Sequence, residues 1–135
     1  MYSFRKSKKG FTLIELMVVV AIIGILALLG LRLYTGQQNK AKEAIVKANA
    51  GTAQTLVQAE MADGPISDLD HAVTIALAGA MHNPFNDANV AVIKSGVTAV
   101  AGAVCVTESV AGTCYTFRGY DADGELFGDT LTAQR

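Results

Sequence analysis

Proline is missing from the first 64 residues, and cysteine occurs only twice, at Cys105 and Cys114. Polar side chains are nearly missing from residues 11–31, where only Thr12 and Glu15 occur, and no basic residue lies between Phe11 and Arg32. Acids are missing from the first ten residues, which carry Arg5, Lys6, Lys8 and Lys9. Each absence excludes something. Without proline, nothing stops a helix ahead of Asp63-Gly64-Pro65. Two thiols with no further ligand nearby do not make a metal site. The two histidines, His71 and His82, show no spacing that pairs a nucleophile with a base, so an enzyme is not expected.

What is present is the apolar run FTLIELMVVVAIIGILALLGL, residues 11–31. As a helix it is roughly 31 Å long, the thickness of a bilayer's hydrocarbon core. We read it as one transmembrane helix. A secretory signal peptide has a shorter apolar region and ends in a small-residue cleavage site, which this run lacks. The basic cluster ahead of it keeps the N-terminus cytoplasmic by the positive-inside rule and sends the rest outward. Without its first ten residues the chain has seven basic and twelve acidic residues, a net charge of −5. Such an acidic part offers no general attraction for nucleic acid. Outside the cytoplasm, Cys105 and Cys114 are expected to form a disulfide.

The helical pattern continues past Leu31. Ala44, Ala48, Thr52, Thr55 and Ala59 form a small-residue stripe, with Ile45, Leu56 and Val57 as larger anchors. One helix is therefore expected over about residues 11–62, weakened by Gly24, Gly30, Gly36 and Gly51. Ser67 is the expected N-cap of a short helix reaching about Gly79, and Asn83 to Asp87 is loop chemistry. Runs rich in β-branched and aromatic residues place strands near 90–94, 97–101, 103–107 and 114–120, with a final piece near 125–127 and a loop over Thr107–Thr113. The expected fold class is α+β: a long N-terminal α-helix, transmembrane in its first half, packed against a small antiparallel β-sheet head. The head after Pro65 is too short to bury more than a thin core alone, so the helix must supply the second layer.

The stretch KKGFTLIELMVVVAIIGILA, residues 8–27, closely resembles the N-terminus of type IV pilins and their pseudopilin relatives. The resemblance is carried by the basic leader, Gly10, Phe11, Thr12, Leu13, Glu15 and the apolar helix with Gly24. It implies that a prepilin peptidase cuts between Gly10 and Phe11 and methylates the new amine of Phe11. The chain then divides into a cleaved leader (1–10), a transmembrane and filament-core helix (11–31), an amphipathic continuation (32–63) and a globular head (64–135). Many such pilins carry a proline about where this chain has Arg32, so a defined kink does not carry over.

Glu15 raises a question that the resemblance answers. A carboxylate in the apolar half of a bilayer costs a few kcal/mol on insertion scales and needs a partner. Cleavage would free the Phe11 amine one helical turn earlier, available to Glu15 of the same chain or of a neighbour in a staggered bundle. In the family's picture the neighbour's pairing sets the register of assembly. The resemblance therefore implies a homo-oligomeric helical filament, built from an inner-membrane precursor by the pilus assembly machinery and displayed at the cell surface for adhesion, motility or DNA uptake. Alternatives within the family are a pseudopilin of a type II secretion system and a minor pilin that binds DNA in competence.

Two weaker signals remain. Asp121, Asp123 and Glu125 echo the start of a calcium loop, but the expected reading is a hairpin turn at Asp123-Gly124 with solvated acids. Lys40, Lys42 and Lys47, with Glu43 among them, read as a solvated helix face, with DNA contact as the alternative.

Overall fold

The computed structural model describes residues 10–86, 90–110 and 112–135. The leader residues 1–9 and Asp87 of the expected loop lie outside them. In chain order the elements are α1 (Leu13–Asp63), α2 (Leu69–Leu77), β1 (Val92–Lys94), β2 (Val104–Val110), β3 (Cys114–Tyr120) and β4 (Leu126–Gln134). The residues up to Gln37 form one compact unit and Gln38–Arg135 a second.

The described residues of the first unit are helical from Leu13 on. Thr12 lies just ahead of that start, and no residue between Leu13 and Asp63 leaves the helical conformation. Every large apolar side chain from Leu13 to Tyr34 is 48–76% exposed. Among the described residues α1 is the one helix long and apolar enough to cross a membrane.

In the second unit, α1 buries Val46, Asn49, Ala50, Ala53, Val57 and Met61, a stripe with helical spacing. This corrects the small-residue stripe read from sequence, since Ala44, Ala48, Thr52, Thr55 and Ala59 are all exposed. The stripe that wins carries the larger groups Val46, Val57 and Met61, and burying each such side chain contributes about 1.5–3 kcal/mol. Asn49 fits in it because its amide donates to the His82 carbonyl at 3.0 Å. The N-cap of α2 is Asp68, not Ser67: its carboxylate accepts from the His71 amide at 2.7 Å.

The sheet has the order β1-β2-β3-β4. β2, β3 and β4 are antiparallel to one another, but β1 runs parallel to β2. The sheet is therefore mixed, and the strand expected at 97–101 is instead part of the crossover that a parallel pair requires. Val100 of that crossover packs with Ile93, Ala103, Cys105 and Tyr120 in a small second core. The expected loop at Thr107–Thr113 shrinks to a tight turn, with Thr113 donating to the Val110 carbonyl at 3.0 Å. β4 is much longer than its expected 125–127 because most of it is an exposed edge, which alternation of apolar residues does not mark.

The main core joins the α1 stripe to Ala72 and Ala76 of α2 and to Val92, Val104, Val106, Tyr115, Phe117 and Ala133 of the sheet. On β3 the alternation buries Tyr115, Phe117 and Gly119 against the helices, so Cys114, Thr116, Arg118 and Tyr120 face the other way. Gly119 is there for closeness. A Cβ at that position would overlap the Val46 methyl and reach 3.0 Å from the Phe127 ring.

The free edge of β4 is closed by side chains of α1. Gln54 donates to the Thr132 carbonyl at 2.7 Å, and Gln58 donates to the Gln134 carbonyl at 2.8 Å while accepting from its amide at 2.9 Å. Four residues of helix rise about 6 Å and two residues of strand about 6.7 Å. Two glutamines four apart therefore match alternate peptides of an edge strand, and they occupy groups that would otherwise invite another strand.

Two outcomes follow for the second unit. Gly119→Ala is expected to destabilise it by roughly 1–3 kcal/mol in thermal unfolding, and Val46→Ala in the same chain should recover part of that loss. Gln58→Ala should speed hydrogen exchange of the Gln134 amide about tenfold or more, while Tyr120, whose amide donates to the Ala103 carbonyl, keeps its protection. Equal change at both amides would mean that the whole sheet has loosened and that Gln58 is no specific cap.

Candidate assembly site at the N-terminal helix

Gly10 and Phe11 precede the first helical turn, and both are exposed; Phe11 is 89% exposed. Among the described residues, its chain neighbours aside, no heavy atom lies within 4 Å of the space a Gly10 Cβ would take. The peptide bond between them is thus in open, non-helical backbone.

Two residues further on, Thr12 and Glu15 close on each other. Glu15 Oε2 accepts from the Thr12 amide at 2.8 Å and from the Thr12 hydroxyl at 2.7 Å, and the Glu15 amide approaches the Thr12 hydroxyl at 3.4 Å. This reciprocal pattern is a capping box: the threonine serves the third helical residue and the glutamate reaches back. Thr12 was not assigned this role from sequence, although T-x-x-E ahead of an apolar run is its signal. The box gives the carboxylate hydrogen-bond donors but no positive charge. Among the described residues the next basic one is Arg32, seventeen positions along the helix, roughly 26 Å away.

A family model, the prokaryotic N-terminal methylation motif, matches residues 5–31. Fimbrial protein EcpB of Eikenella corrodens is 48% identical over 63 residues, 47% of this chain and 40% of that protein. The type IV major alpha-pilin of Moraxella bovis is 43% identical over 58 residues, 43% of this chain and 36% of its own. The type IV major fimbrial protein FimA of Dichelobacter nodosus is 41% identical over 61 residues, 45% and 38% of the two chains. Over its N-terminal segment the chain is similar to type IV pilins and carries their N-terminal methylation motif. The matched region spans two-fifths or less of each of these relatives. No solved structure matches the chain significantly.

The other candidates read from the sequence fare differently. Asp121, Asp123 and Glu125 do not converge on a cation. Asp121 Oδ1 accepts from the amides of Asp123 at 3.0 Å and Glu125 at 2.9 Å, and Gly124 takes φ +80° to close the hairpin turn. Among the described residues no three His, Cys, Asp or Glu side chains gather closely enough to hold a metal. Two of the three lysines on α1 lie over aromatic rings instead of forming a purely solvated face: Lys42 Nζ is 5.2 Å from the Phe85 ring centre and Lys47 Nζ 5.5 Å from that of Phe127. His71 Nδ1 lies 3.4 Å from the Ser67 hydroxyl, but the nearby Asp68 carboxylate is bound to the His71 backbone and does not orient the ring.

The expected Cys105–Cys114 disulfide is a correction: both thiols are free. The strand register explains why. Cys105 sits opposite Arg118, and Cys114 sits opposite Val110. Five residues of strand, roughly 16 Å, separate Cys105 from the residue facing Cys114, and a disulfide needs Cα atoms within about 7 Å. Cys105 is buried in the second core, where burial and the Cys105 sulfur beside it push the Tyr120 hydroxyl above its ordinary pKa. On the opposite face of β3, burial and the neighbouring Glu108 carboxylate, which accepts from the Tyr115 hydroxyl at 3.4 Å, do the same to Tyr115.

Alkylation of the unreduced native protein should therefore label half-buried Cys114 readily and buried Cys105 only slowly, by more than about tenfold, with both labelled on unfolding. Peptide mass spectrometry showing neither cysteine alkylated, even unfolded, would restore the bridge.

Proposed function

We propose that this chain is a structural, non-enzymatic subunit of a type IV pilus. The precursor spans the inner membrane once with its N-terminus in the cytoplasm, and prepilin peptidase cuts it between Gly10 and Phe11 and methylates the Phe11 amine. The assembly machinery then draws the helix into a filament in which Glu15 pairs with the Phe11 amine of a neighbouring copy.

One observation carries the proposal: the exposed apolar stretch of α1, residues 13–34, holds a single carboxylate that has hydrogen bonds from Thr12 and, among the described residues, no cation within reach. Exposed apolar surface on this scale needs lipid or other helices around it. Either environment leaves the Glu15 charge expensive, about 2.5–3.5 kcal/mol at mid-membrane on insertion scales. The capping box holds the side chain at the helix start, where the helix dipole favours it. Cutting after Gly10 would place a positive amine one residue before Thr12, at that same end of the helix. Apolar packing alone specifies register poorly, whereas one buried charge pair specifies it at some cost in stability.

The names of the relatives, major pilins and a fimbrial protein, favour the pilus over the secretion pseudopilus. A DNA-binding role gains little from α1, since Lys42 and Lys47 are engaged with rings in a unit that carries six basic against eleven acidic residues.

Glu15→Ala is expected to leave cleavage and membrane insertion intact and to reduce sheared surface fibres to background. Mass spectrometry of the wild-type fibre should find Phe11 as the N-terminal residue, with one added methyl group. Normal fibre yield from Glu15→Ala, or fibres whose subunits still begin at Met1, would overturn the proposal.

A further inference from the structure

The face of the sheet turned away from the helices has a composition unlike the rest of its unit. Its registered rows run Cys105–Arg118, Thr107–Thr116–Thr132, Val110–Cys114–Gln134 and Tyr120–Leu126. From Gln38 onward the chain carries seventeen charged residues, six basic and eleven acidic. On these rows Arg118 is the single charged residue. The threonine row lies on one side of it and Tyr120 on the other, and Val110 and Leu126 leave 58% and 42% of their surface exposed. The Cys105 end of this face is covered by the crossover in the second core; the part left open, with threonines, Arg118 and exposed aliphatics and without Lys, Asp or Glu, has the makeup of an interface centre.

Arg118 itself is incomplete. It lies where the β3–β4 register skips, between Phe117 opposite Leu131 and Gly119 opposite Phe127, so no β4 residue pairs directly with it. Its Nε is shut off from solvent without a hydrogen-bond partner, and one terminal nitrogen makes only a long 3.5 Å bond to the Leu126 carbonyl. Among the described residues no carboxylate lies within 4 Å of it, and the one ion pair is Lys94 with Asp70, at 2.7 Å. A half-buried guanidinium with five donors and one weak acceptor is rare in a finished interior and is suited to a carboxylate.

We propose that this outer sheet face docks a second copy of the chain, with Arg118 receiving a carboxylate from it. The inference rests on the filament reading, which brings many copies side by side. Charge selects the occupant. Each copy presents a unit of net charge −5 from Gln38 on, so like units repel unless a cation meets an acid at the contact. Arg118 supplies that cation on a face with no acid of its own. Its partner carboxylate must lie on a different surface of the second copy, and such a head-to-tail contact extends into an open helix.

Fibres grown from mixed isotope-labelled and unlabelled Arg118→Lys chains, then joined by a zero-length carbodiimide reagent, test this. The expected product links position 118 of one label to an acidic peptide of the other. Arg118→Met should lower fibre yield about tenfold while its monomer in detergent melts where the wild type does. Same-label links alone, an unchanged yield with Arg118→Met, or a monomer that melts lower would each overturn the docking role. Absence of fibres from the wild-type chain would instead overturn the filament reading and take this inference with it.

Discussion

A four-stranded sheet with one apolar face cannot keep that face from water by itself, and from Gln38 on the stripe Val46, Ala50, Ala53, Val57 and Met61 covers it. Everything else in that unit is arranged around this contact. Gly119 has no side chain so that β3 can approach Val46, and Phe117 and Tyr115 fill the space further along the same strand. Gln54 and Gln58, on the flank of the stripe, close the β4 edge with bonds a fifth strand would otherwise make. One helix surface thus supplies both the apolar layer and the edge protection, which a small sheet needs more than a large one.

The same helix carries a different problem at its start. Hydrogen bonds and charge are separate requirements for a carboxylate outside water, and Thr12 meets only the first. In the uncut chain that is a stable compromise, because the capping box and the helix dipole hold Glu15 near the helix end. On the proposed reading, cleavage changes the local charge without disturbing the box, since the new amine belongs to Phe11 and the box to Thr12. The pairing of acid and amine is then a property gained by processing, which would keep precursors from assembling early.

Much of this was legible in the residues, and the failures share a cause. The membrane-length run, the uninterrupted helix to Asp63 and the α+β class follow from hydropathy and from missing proline, both local properties. The choice of buried stripe was not local. Alanines at helical spacing look like a packing face, but Val46, Val57 and Met61 bring more apolar area to the sheet. The parallel β1–β2 pair, the bulged edge strand β4 and the free thiols all depend on register, which is set by partners far away in sequence. The capping box is the opposite case: its signal, Thr12 and Glu15 three apart ahead of an apolar run, is local and plainly readable.

Register also explains why the two cysteines do not pair as an exported location would suggest. A bridge between Cys105 and Cys114 would slide β2 along β3 by several residues, moving Val104 and Val106 away from Gly119 and Phe117 across the core. Several buried side chains of about 1.5–3 kcal/mol each would lose their positions, against a disulfide contribution of typically 2–4 kcal/mol. The packed register therefore wins, and oxidation alone does not supply enough to shift it. The fold in this unit is held by the stripe of α1 that covers the sheet, and the thiols sit on the opposite face, Cys105 buried in the second core and Cys114 half-buried.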